Sequence, residues 1–301
     1  MSISKMRNNE TGNATLYAAG AVVLWSTVAT AFKLTLEGMS FVQMLFYSSL
    51  TSAAVLYFIS VFANKRNPAN FFTKESLKKN WALGLINPFF YYLVLFKAYS
   101  LLPAQEAQSV NFSWPIVLSL FSAVFLKQKI KFFTGAGIVI AFLGVIVITT
   151  RGDIAALKFD NPLGDALALL SAVIWASFWI LNLRDERDIS EKLFGGFFFG
   201  TIYTGVVVLF FDSFVIHNPV YLLGAVYIGL FEMGITFFLW LKALDAAENK
   251  AKISTLAYLS PFISFVFIAL VLKEKILISS IVGLGMIITG IAVQRLGKRE
   301  T

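Results

Sequence analysis

The chain has 301 residues, of which 58% are hydrophobic and only 14% are charged. So little polar surface could not coat a water-soluble globule of this size, which excludes a soluble fold and predicts a polytopic membrane protein. The net charge of +8 would suggest a nucleic-acid partner in a soluble chain, but here the basic residues cluster between apolar runs, where they orient helices. No nucleic-acid partner is therefore predicted.

Ten apolar segments follow one another along the chain, and each is close to the roughly 20 residues with which a helix crosses about 30 Å of hydrocarbon. The ten-residue alternating segments of a membrane barrel are absent, so the segments are predicted to be helices. The loop residues 71–79 are predicted to form a short interfacial helix with Thr73 near its start. The predicted spans are approximately 15–32, 41–62, 81–100, 104–126, 132–150, 163–181, 193–211, 220–241, 252–272 and 276–295.

Two short stretches of the chain recur. Phe-Lys-Ala at 96–98 and Lys-Gln-Lys-Ile at 127–130 return as Leu-Lys-Ala at 241–243 and Lys-Glu-Lys-Ile at 273–276. Each copy contains five predicted spans, and because five is odd the second copy must cross the membrane in the opposite sense. The predicted organisation is a first repeat at 1–150, an outer linker at 151–162 and a second repeat at 163–301.

The distribution of basic residues predicts the orientation. Most of the 25 Lys and Arg residues fall on the side of the N-terminus. Because basic loops stay on the cytoplasmic side, both termini are predicted to be cytoplasmic, in the inner membrane. The basic residues on the opposite side are Lys33, Lys97, Arg151, Lys158, Lys273 and Lys275.

Glycines recur at helix-packing spacing. Gly137 and Gly144 in the fifth span match Gly283 and Gly290 in the tenth. Small residues let membrane helices approach closely, so a packing role is predicted for these four. The same role is predicted for the pair Gly196 and Gly200 in the seventh span.

Pro115 and Pro261 stand at matching positions within the fourth and ninth spans. A proline removes one backbone hydrogen bond and kinks a helix, which frees a carbonyl group four residues earlier. In hydrocarbon that carbonyl must find a partner, which could be a solute. The alternative is that both prolines only kink packed helices. The side chains beside them that could contact a solute are Asn111, Phe112, Trp114 and Tyr258.

Asn87 and Glu232 form the most informative pair. Each lies ten residues before the Lys of its repeat, Lys97 or Lys242, and ten helical residues cover about 15 Å, half of the hydrocarbon thickness. A carboxylate near the midplane costs about 2.5–3.5 kcal/mol, so Glu232 should face the bundle interior. It is expected to contact the amino group of a solute, to carry a coupling proton, or to do both, whereas the alternative is a protonated, structural carboxyl group.

Other acids and reactive groups give little support for catalysis. Glu106 is expected to open the fourth span on the outer side, where an acid favours a helix N-terminus and could contact Lys97. The chain has no cysteine and a single histidine, His217, so neither a metal site nor a nucleophile with its base is evident. No catalytic residue, cofactor or metal is predicted.

A family resemblance rests on several of these stretches. The chain carries Val23-Leu24-Trp25-Ser26-Thr27, Val110-Asn111-Phe112-Ser113-Trp114-Pro115, Ile174-Trp175-Ala176 and a Leu-Lys-Glu-Lys ending of the ninth span. It resembles the EamA-type branch of the drug/metabolite transporter superfamily, and the first three stretches are similar to those of bacterial aromatic amino acid exporters. The resemblance implies a transporter, acting as a monomer, with a central cavity. The cavity residues that it implies are Trp25, Asn111, Trp114, Trp175 and Tyr258.

The predicted function is secondary transport of a small amphiphilic metabolite through this midplane cavity by alternating access. Aromatic rings, an amide and one acid suit a neutral or aromatic amino acid, and export is the expected direction. Two alternatives stay open because the fold serves many solutes. One is a proton-coupled exporter of cationic drugs, and the other is a transporter or exchanger of a larger nucleotide-derived metabolite.

Overall fold

A computed structural model describes residues 3–63, 71–125, 132–156, 159–182, 185, 187–247 and 250–296. Within these ranges every regular element is a helix, so the predicted all-α class is confirmed. The helices are α1 (Ile3–Leu36), α2 (Phe41–Phe58), α3 (Lys74–Gly84), α4 (Tyr91–Leu101), α5 (Ala104–Asn111), α6 (Trp114–Phe125), α7 (Phe132–Thr149), α8 (Pro162–Asn182), α9 (Ile189–Phe211), α10 (Pro219–Ile228), α11 (Ile235–Asp245), α12 (Lys250–Thr255), α13 (Ser260–Phe267) and α14 (Ile278–Leu296).

Several of these helices are continued or joined by short irregular helical segments. Four of the segments are π-helical and one is a 3₁₀ turn. The π-helical segments are Ile59–Ala63, Leu85–Phe90, Gly229–Gly234 and Ile268–Leu272, and the 3₁₀ turn is Leu256–Leu259.

Eight helical stretches in the described residues are long and apolar enough to cross a membrane. This confirms a multi-pass membrane protein. The predicted fourth span is divided into the shorter helices α5 and α6, and the apolar part of α14, Ile278–Gln294, is also shorter than a full span. The eight stretches are Asn13–Leu36, Phe41–Phe62, Lys74–Leu101, Phe132–Thr149, Pro162–Asn182, Ile189–Phe211, Pro219–Asp245 and Ile253–Leu272.

The structure confirms a helix that starts in the segment 71–79, but this helix does not end there. Helix α3 begins at Lys74 and runs directly into the predicted third span, so that Lys74–Leu101 forms one stretch. Thr73 does start this helix, because its hydroxyl accepts a hydrogen bond from the backbone N–H of Ser76 at 3.2 Å. Such a cap satisfies a donor that the first helical turn leaves open.

The chain forms two compact units, and each combines segments from both predicted repeats. Unit 1 consists of Met1–Phe89 and Arg187–Phe267, and unit 2 consists of Phe90–Glu186 and Ile268–Thr301. In unit 1, α1 packs on α11 and α13, while α9 packs on α2 and α3. In unit 2, α14 packs along α7, and α8 packs on α4, α5 and α6.

Glycines bring α7 and α14 into direct backbone contact. A Cβ atom on Gly137 would lie 2.4 Å from the carbonyl oxygen of Gly290, and one on Gly144 would lie 2.5 Å from that of Gly283. Neither distance leaves room for a Cβ atom, so only glycine fits at these positions without a shift of the helices. The predicted packing role of these four glycines is therefore confirmed.

The predicted orientation of the termini stays a prediction. It depends in part on basic residues that lie outside the described residues, which are Lys65, Arg66, Lys127, Lys129, Lys131, Lys158, Arg184, Lys298 and Arg299.

Candidate functional site

Helix interruptions occur at both positions singled out by the sequence. Asn87 lies within Leu85–Phe90 and has an extended backbone, with φ −141° and ψ 121°. Glu232 lies within Gly229–Gly234, where Gly234 departs from helical geometry with φ −102° and ψ −90°. In transporters, interruptions at corresponding positions of two repeats indicate where a solute is bound, because they expose backbone groups inside the bundle.

The interruption at Asn87 fits against α9 in unit 1. Asn87 is 3% exposed, and its side-chain oxygen accepts no hydrogen bond from the part of the chain that the structure describes. The following Pro88 packs on Gly200, where a Cβ atom would come within 2.2 Å of the proline ring. Gly196 is less confined, because a Cβ atom there would make only an ordinary contact, 3.5 Å from the carbonyl oxygen of Asn87. Gly200 of α9 therefore leaves room for the irregular backbone.

The interruption at Glu232 fits against α2, also in unit 1. Glu232 is 8% exposed. A Cβ atom on Gly229 would lie 2.5 Å from the carbonyl oxygen of Ser48, and one on Gly234 would lie 3.8 Å from the hydroxyl of Ser52. The hydroxyl of Ser52 is fully buried and has no hydrogen-bond partner in the described ranges. The acid-bearing segment therefore packs on a face of α2 that carries hydroxyl groups.

Trp25 belongs to the apolar core of unit 1. Its ring lies 5.3 Å from that of Trp240 and 6.1 Å from that of Phe237, between ring centroids. Tyr258 lies in the 3₁₀ turn Leu256–Leu259 and is half-buried. The structure thus packs Trp25 as a core ring and leaves Tyr258 beside a break in regular helix.

Unit 2 contains a cluster of aromatic rings on α4, α6 and α8. Tyr91 stacks on Trp175 with ring centroids 4.6 Å apart and an interplanar angle of 28°. The ring of Trp175 also stacks on that of Phe178, with centroids 5.5 Å apart, and contacts that of Trp179 edge to face, with centroids 5.9 Å apart. Trp114 is stacked on Trp179 at 6.3 Å. Two of the predicted residues, Trp114 and Trp175, are therefore joined through a ring that the sequence analysis did not single out.

An amide lies at the edge of this aromatic cluster. The side-chain nitrogen of Asn111 donates to the hydroxyl of Ser171 at 2.8 Å, and its oxygen accepts from the hydroxyl of Tyr91 at 3.4 Å. Asn111 is the last residue of α5, and Phe112 is its C-cap. The end of the helix therefore places the amide beside the stacked Tyr91 and Trp175.

Pro115 begins a new helix after a break, whereas Pro261 follows a 3₁₀ turn within one continuous helical stretch. Helix α5 ends one turn before Pro115, and the N–H of Ile116 already bonds the carbonyl of Ser113 at 2.9 Å. Pro115 is the second residue of α6, and Pro261 is the second residue of α13, which follows a 3₁₀ turn. Proline is tolerated in the first turn because its missing N–H would have no partner there.

Sequence reasoning missed Tyr91, Ser171 and Trp179. A usable signal exists for Trp179, since it lies four residues after Trp175 on one face of α8. Tyr91 lies four residues after Asn87, but the extended backbone at Asn87 breaks the helical spacing between them. The Nε1 nitrogen of Trp179 is buried and has no hydrogen-bond partner among the described residues. No local signal exists for Ser171, because its contact with Asn111 joins positions 60 residues apart.

The EamA-like transporter family matches residues 13–150 and 162–295 of the chain. The protein belongs to this family. Membership places it among membrane transporters, as the resemblance of the sequence predicted.

Individual EamA relatives are distant but extend along most of the chain. An aromatic amino acid exporter, YddG, of Ancylobacter novellus is 23% identical over 84% of this chain and 86% of its own length. The YddG of Salmonella typhimurium is 25% identical over 92% and 94%. An uncharacterized transporter of Acidianus ambivalens is 26% identical over 75% and 87%. A solved crystal structure with 23% identity superposes with a TM-score of 0.68 over 96% of this chain and 98% of that one, which shows a shared fold.

Proposed function

We propose that this EamA-family protein is a secondary transporter that exports a small amphiphilic amine, with neutral or aromatic amino acids as the preferred class. The observation that carries the proposal is the stacked pair of Tyr91 and Trp175 with the amide of Asn111 at its edge. Stacked rings offer a flat apolar surface that attracts both aromatic side chains and cationic amines. The amide adds directed hydrogen bonds to a carboxylate or an amino group.

Two relatives support this choice of solute. Both YddG proteins that resemble the chain over most of its length are named aromatic amino acid exporters. Because identities of 23% and 25% leave much of a binding site free to change, the solute class depends on the chain's own residues. Trp114, Phe112 and Tyr258 are proposed to contribute further ring surface.

Glu232 is proposed to contact the amino group of the solute, with Asn87 as a second polar contact. Both side chains are buried within interrupted helical segments. A carboxylate facing an ammonium group makes a charge-assisted hydrogen bond, which is stronger than a neutral one. This contact favours amino acids and other primary amines over purely apolar compounds.

The wider arrangement belongs to the same proposal. It comprises two inverted repeats at 1–150 and 163–301, ten transmembrane helices, cytoplasmic termini, and a monomer in the inner membrane. Solute passes a midplane cavity by alternating access. Support comes from the family match to two separate segments and from helix interruptions at matching positions in both repeats.

Counterflow into proteoliposomes tests the proposal. Vesicles preloaded with unlabelled phenylalanine should accumulate labelled phenylalanine, tyrosine or tryptophan, and Trp175→Ala and Asn111→Ala should each lower the rate by about tenfold or more. A lost hydrogen bond to a charged group costs about 1.5–3 kcal/mol, and a lost aromatic pair costs about 0.5–1.5 kcal/mol in addition to its buried area. A difference of about 1.4 kcal/mol corresponds to tenfold. Trp81→Ala is the matched control, because that ring is 54% exposed, and it should keep the parent rate.

Other solutes in the same assay decide between the alternatives. Preferential accumulation of ethidium and other quaternary amines would replace the proposal by drug export. Preferential exchange of nucleotide-derived compounds would replace it by metabolite exchange. Unchanged phenylalanine counterflow in both Trp175→Ala and Asn111→Ala would remove the aromatic cluster from the solute pathway.

A further inference from the structure

Two buried acids in unit 2 lie outside the proposed solute contacts. Glu106, in the first turn of α5, is 2% exposed, and Asp165, in the first turn of α8, is 8% exposed. Arg151 donates to one oxygen of Glu106 from two nitrogens, at 3.3 and 3.4 Å. The same guanidinium also pairs with Asp160. The sequence analysis considered Lys97 as a contact for Glu106, whereas the structure shows an ion pair with Arg151.

The two carboxyl groups face each other across the contact of α5 and α8 and interact electrostatically. No donor in the described residues bonds the second oxygen of Glu106 or either oxygen of Asp165. Two ionised carboxylates are both acceptors only, so a hydrogen bond between them requires a proton on one. Burying two unprotonated carboxylates beside one shared guanidinium would also leave an uncompensated charge, which is costly.

We propose that the Glu106–Asp165 carboxyl pair is a proton-binding site that couples export to proton movement. One proton from water adds to a carboxylate oxygen, no other bond changes, and the net charge of the pair changes from two negative charges to one. The inference deepens the proposed function, because the proton would accompany transport of the proposed solute. Glu232 is thereby assigned to the solute and this pair to the proton.

The position of the pair explains how a proton could influence the solute. Helices α5 and α8 meet at Glu106 and Asp165 and meet again where Asn111 donates to Ser171 at 2.8 Å. Both contacts join the same two helices, and α8 also carries Trp175. Because α5 has only eight residues, a change of charge at its first turn acts within about 12 Å of Asn111.

The charged side chains beside the pair, in the linker that precedes α8, are partly exposed. The side chain of Arg151 is 36% exposed and that of Asp160 is 46% exposed. Described parts of α6, α7 and α14 bring no ionisable side chain to α5 or α8. The other ionisable groups on the segments around these helices are Lys97 and the phenols of Tyr91, Tyr92 and Tyr99 on α4, Asp153 in the linker, and Lys273, Glu274 and Lys275 before α14. The side chain of Glu274 accepts from the N–H of Ala104 at 3.1 Å.

Infrared difference spectroscopy of the purified full-length protein tests the inference without any solute. The carbonyl stretch of a protonated carboxyl group should appear as the pH is lowered and should shift in deuterium oxide. Because each of the 17 acids of the chain gives such a band at low enough pH, the readout is the difference between parent and variant. Asp165→Asn and Glu106→Gln should each remove the same titrating component from the parent spectrum. Asp160→Asn is the matched control, because it removes a charge from the same guanidinium at an exposed position, and it should keep this component.

The results separate this inference from the proposed function. A parent spectrum whose titrating components all persist in both Asp165→Asn and Glu106→Gln would overturn the proton site, and so would a sodium-dependent response that depends on the same two residues. In proteoliposomes that contain a pH-sensitive dye, phenylalanine should drive proton flux in the parent and in Asp160→Asn, with loss in Asp165→Asn. If phenylalanine is not transported at all, the proposed function fails while the infrared titration still decides the proton site.

Discussion

A carboxyl group that is buried in an apolar bundle must be stabilised by what surrounds it or by what it binds. Glu232 is 8% exposed and lies in an interrupted segment beside the serine-bearing face of α2. At the midplane position that the sequence predicts for Glu232, a charged carboxylate costs about 2.5–3.5 kcal/mol on insertion scales. An ammonium group of a bound solute would offset this cost directly. A substitution of Glu232 therefore tests whether the solute carries an amine.

Glu232→Gln should weaken binding of amine-bearing solutes by about tenfold to a hundredfold, because a hydrogen bond to a charged group contributes about 1.5–3 kcal/mol. The substitution keeps the shape of the side chain and removes its charge. The measurement is competition by phenylalanine, phenylethylamine and phenylpropionate against labelled phenylalanine counterflow. Competition by the first two should weaken, whereas that by phenylpropionate, which has no amine, should not.

Glu37→Gln supplies the control for this charge change, because Glu37 is exposed in the turn after α1. It should leave all three competition curves unchanged. Equal weakening of all three compounds by Glu232→Gln would show a structural role for the carboxyl group and would exclude the amine contact.

At the residue scale the sequence identified polar or aromatic groups inside apolar runs, and nothing more specific. Asn87 and Asn111 are visible in this way, because an amide within a predicted span stands out. Asp165 and Ser171 are not, since the first lies at the edge of its span and serine is common in membrane helices. Their partners lie 59 and 60 residues away in the chain, and no local pattern encodes which helices meet.

Regular α-helix is interrupted where the sequence suggested a bend. Pro115 and Pro261 were interpreted as residues within continuous spans. Pro115 instead begins α6 after a break, whereas Pro261 does lie within the continuous stretch Ile253–Leu272, just after a 3₁₀ turn. The lost backbone hydrogen bond is visible from sequence. Whether the chain kinks or breaks depends on neighbours that satisfy the freed groups, and these are set by tertiary packing. A hydropathy pattern likewise does not predict the helix interruptions at Asn87 and Gly234.

The contact of α7 and α14 gives a prediction at the scale of elements. Gly144→Ala should destabilise the protein by about 1–3 kcal/mol, the usual cost of overpacking, because the new methyl group would lie 2.5 Å from the carbonyl oxygen of Gly283. The measurement is thermal unfolding of the purified protein in detergent.

Gly285→Ala is the matched control on α14, because nothing lies within 4 Å of its Cβ position. It should leave the unfolding temperature unchanged or raise it slightly, since alanine favours helix over glycine by up to about 1 kcal/mol. If both substitutions shifted the unfolding temperature equally, helix propensity rather than close backbone contact would explain the role of Gly144.

At the scale of the whole molecule, the sequence repeats and the compact units divide the chain differently. The predicted repeats meet at 151–162, whereas unit 1 combines Met1–Phe89 with Arg187–Phe267. Sequence similarity shows which segments are related, whereas the compact units show which segments pack together. In an inverted repeat these two divisions can differ, because corresponding helices of the two repeats can pack in different units. Composition and hydropathy alone could not have indicated this division.

Inversion of the repeats can be tested because the chain has no cysteine, so that single cysteines report one position each. Lys129→Cys and Lys275→Cys occupy the matching Lys-x-Lys stretches of the two repeats. With five spans in each repeat, an impermeant thiol reagent added to intact cells should label Lys275→Cys and should label Lys129→Cys only after the membrane is opened. Asp153→Cys, on the predicted outer side, and Lys78→Cys, on the predicted inner side, calibrate the reagent at exposed positions. Labelling of both lysine positions from the same side would exclude an odd number of crossings between them, and with it the mirrored arrangement on which alternating access depends.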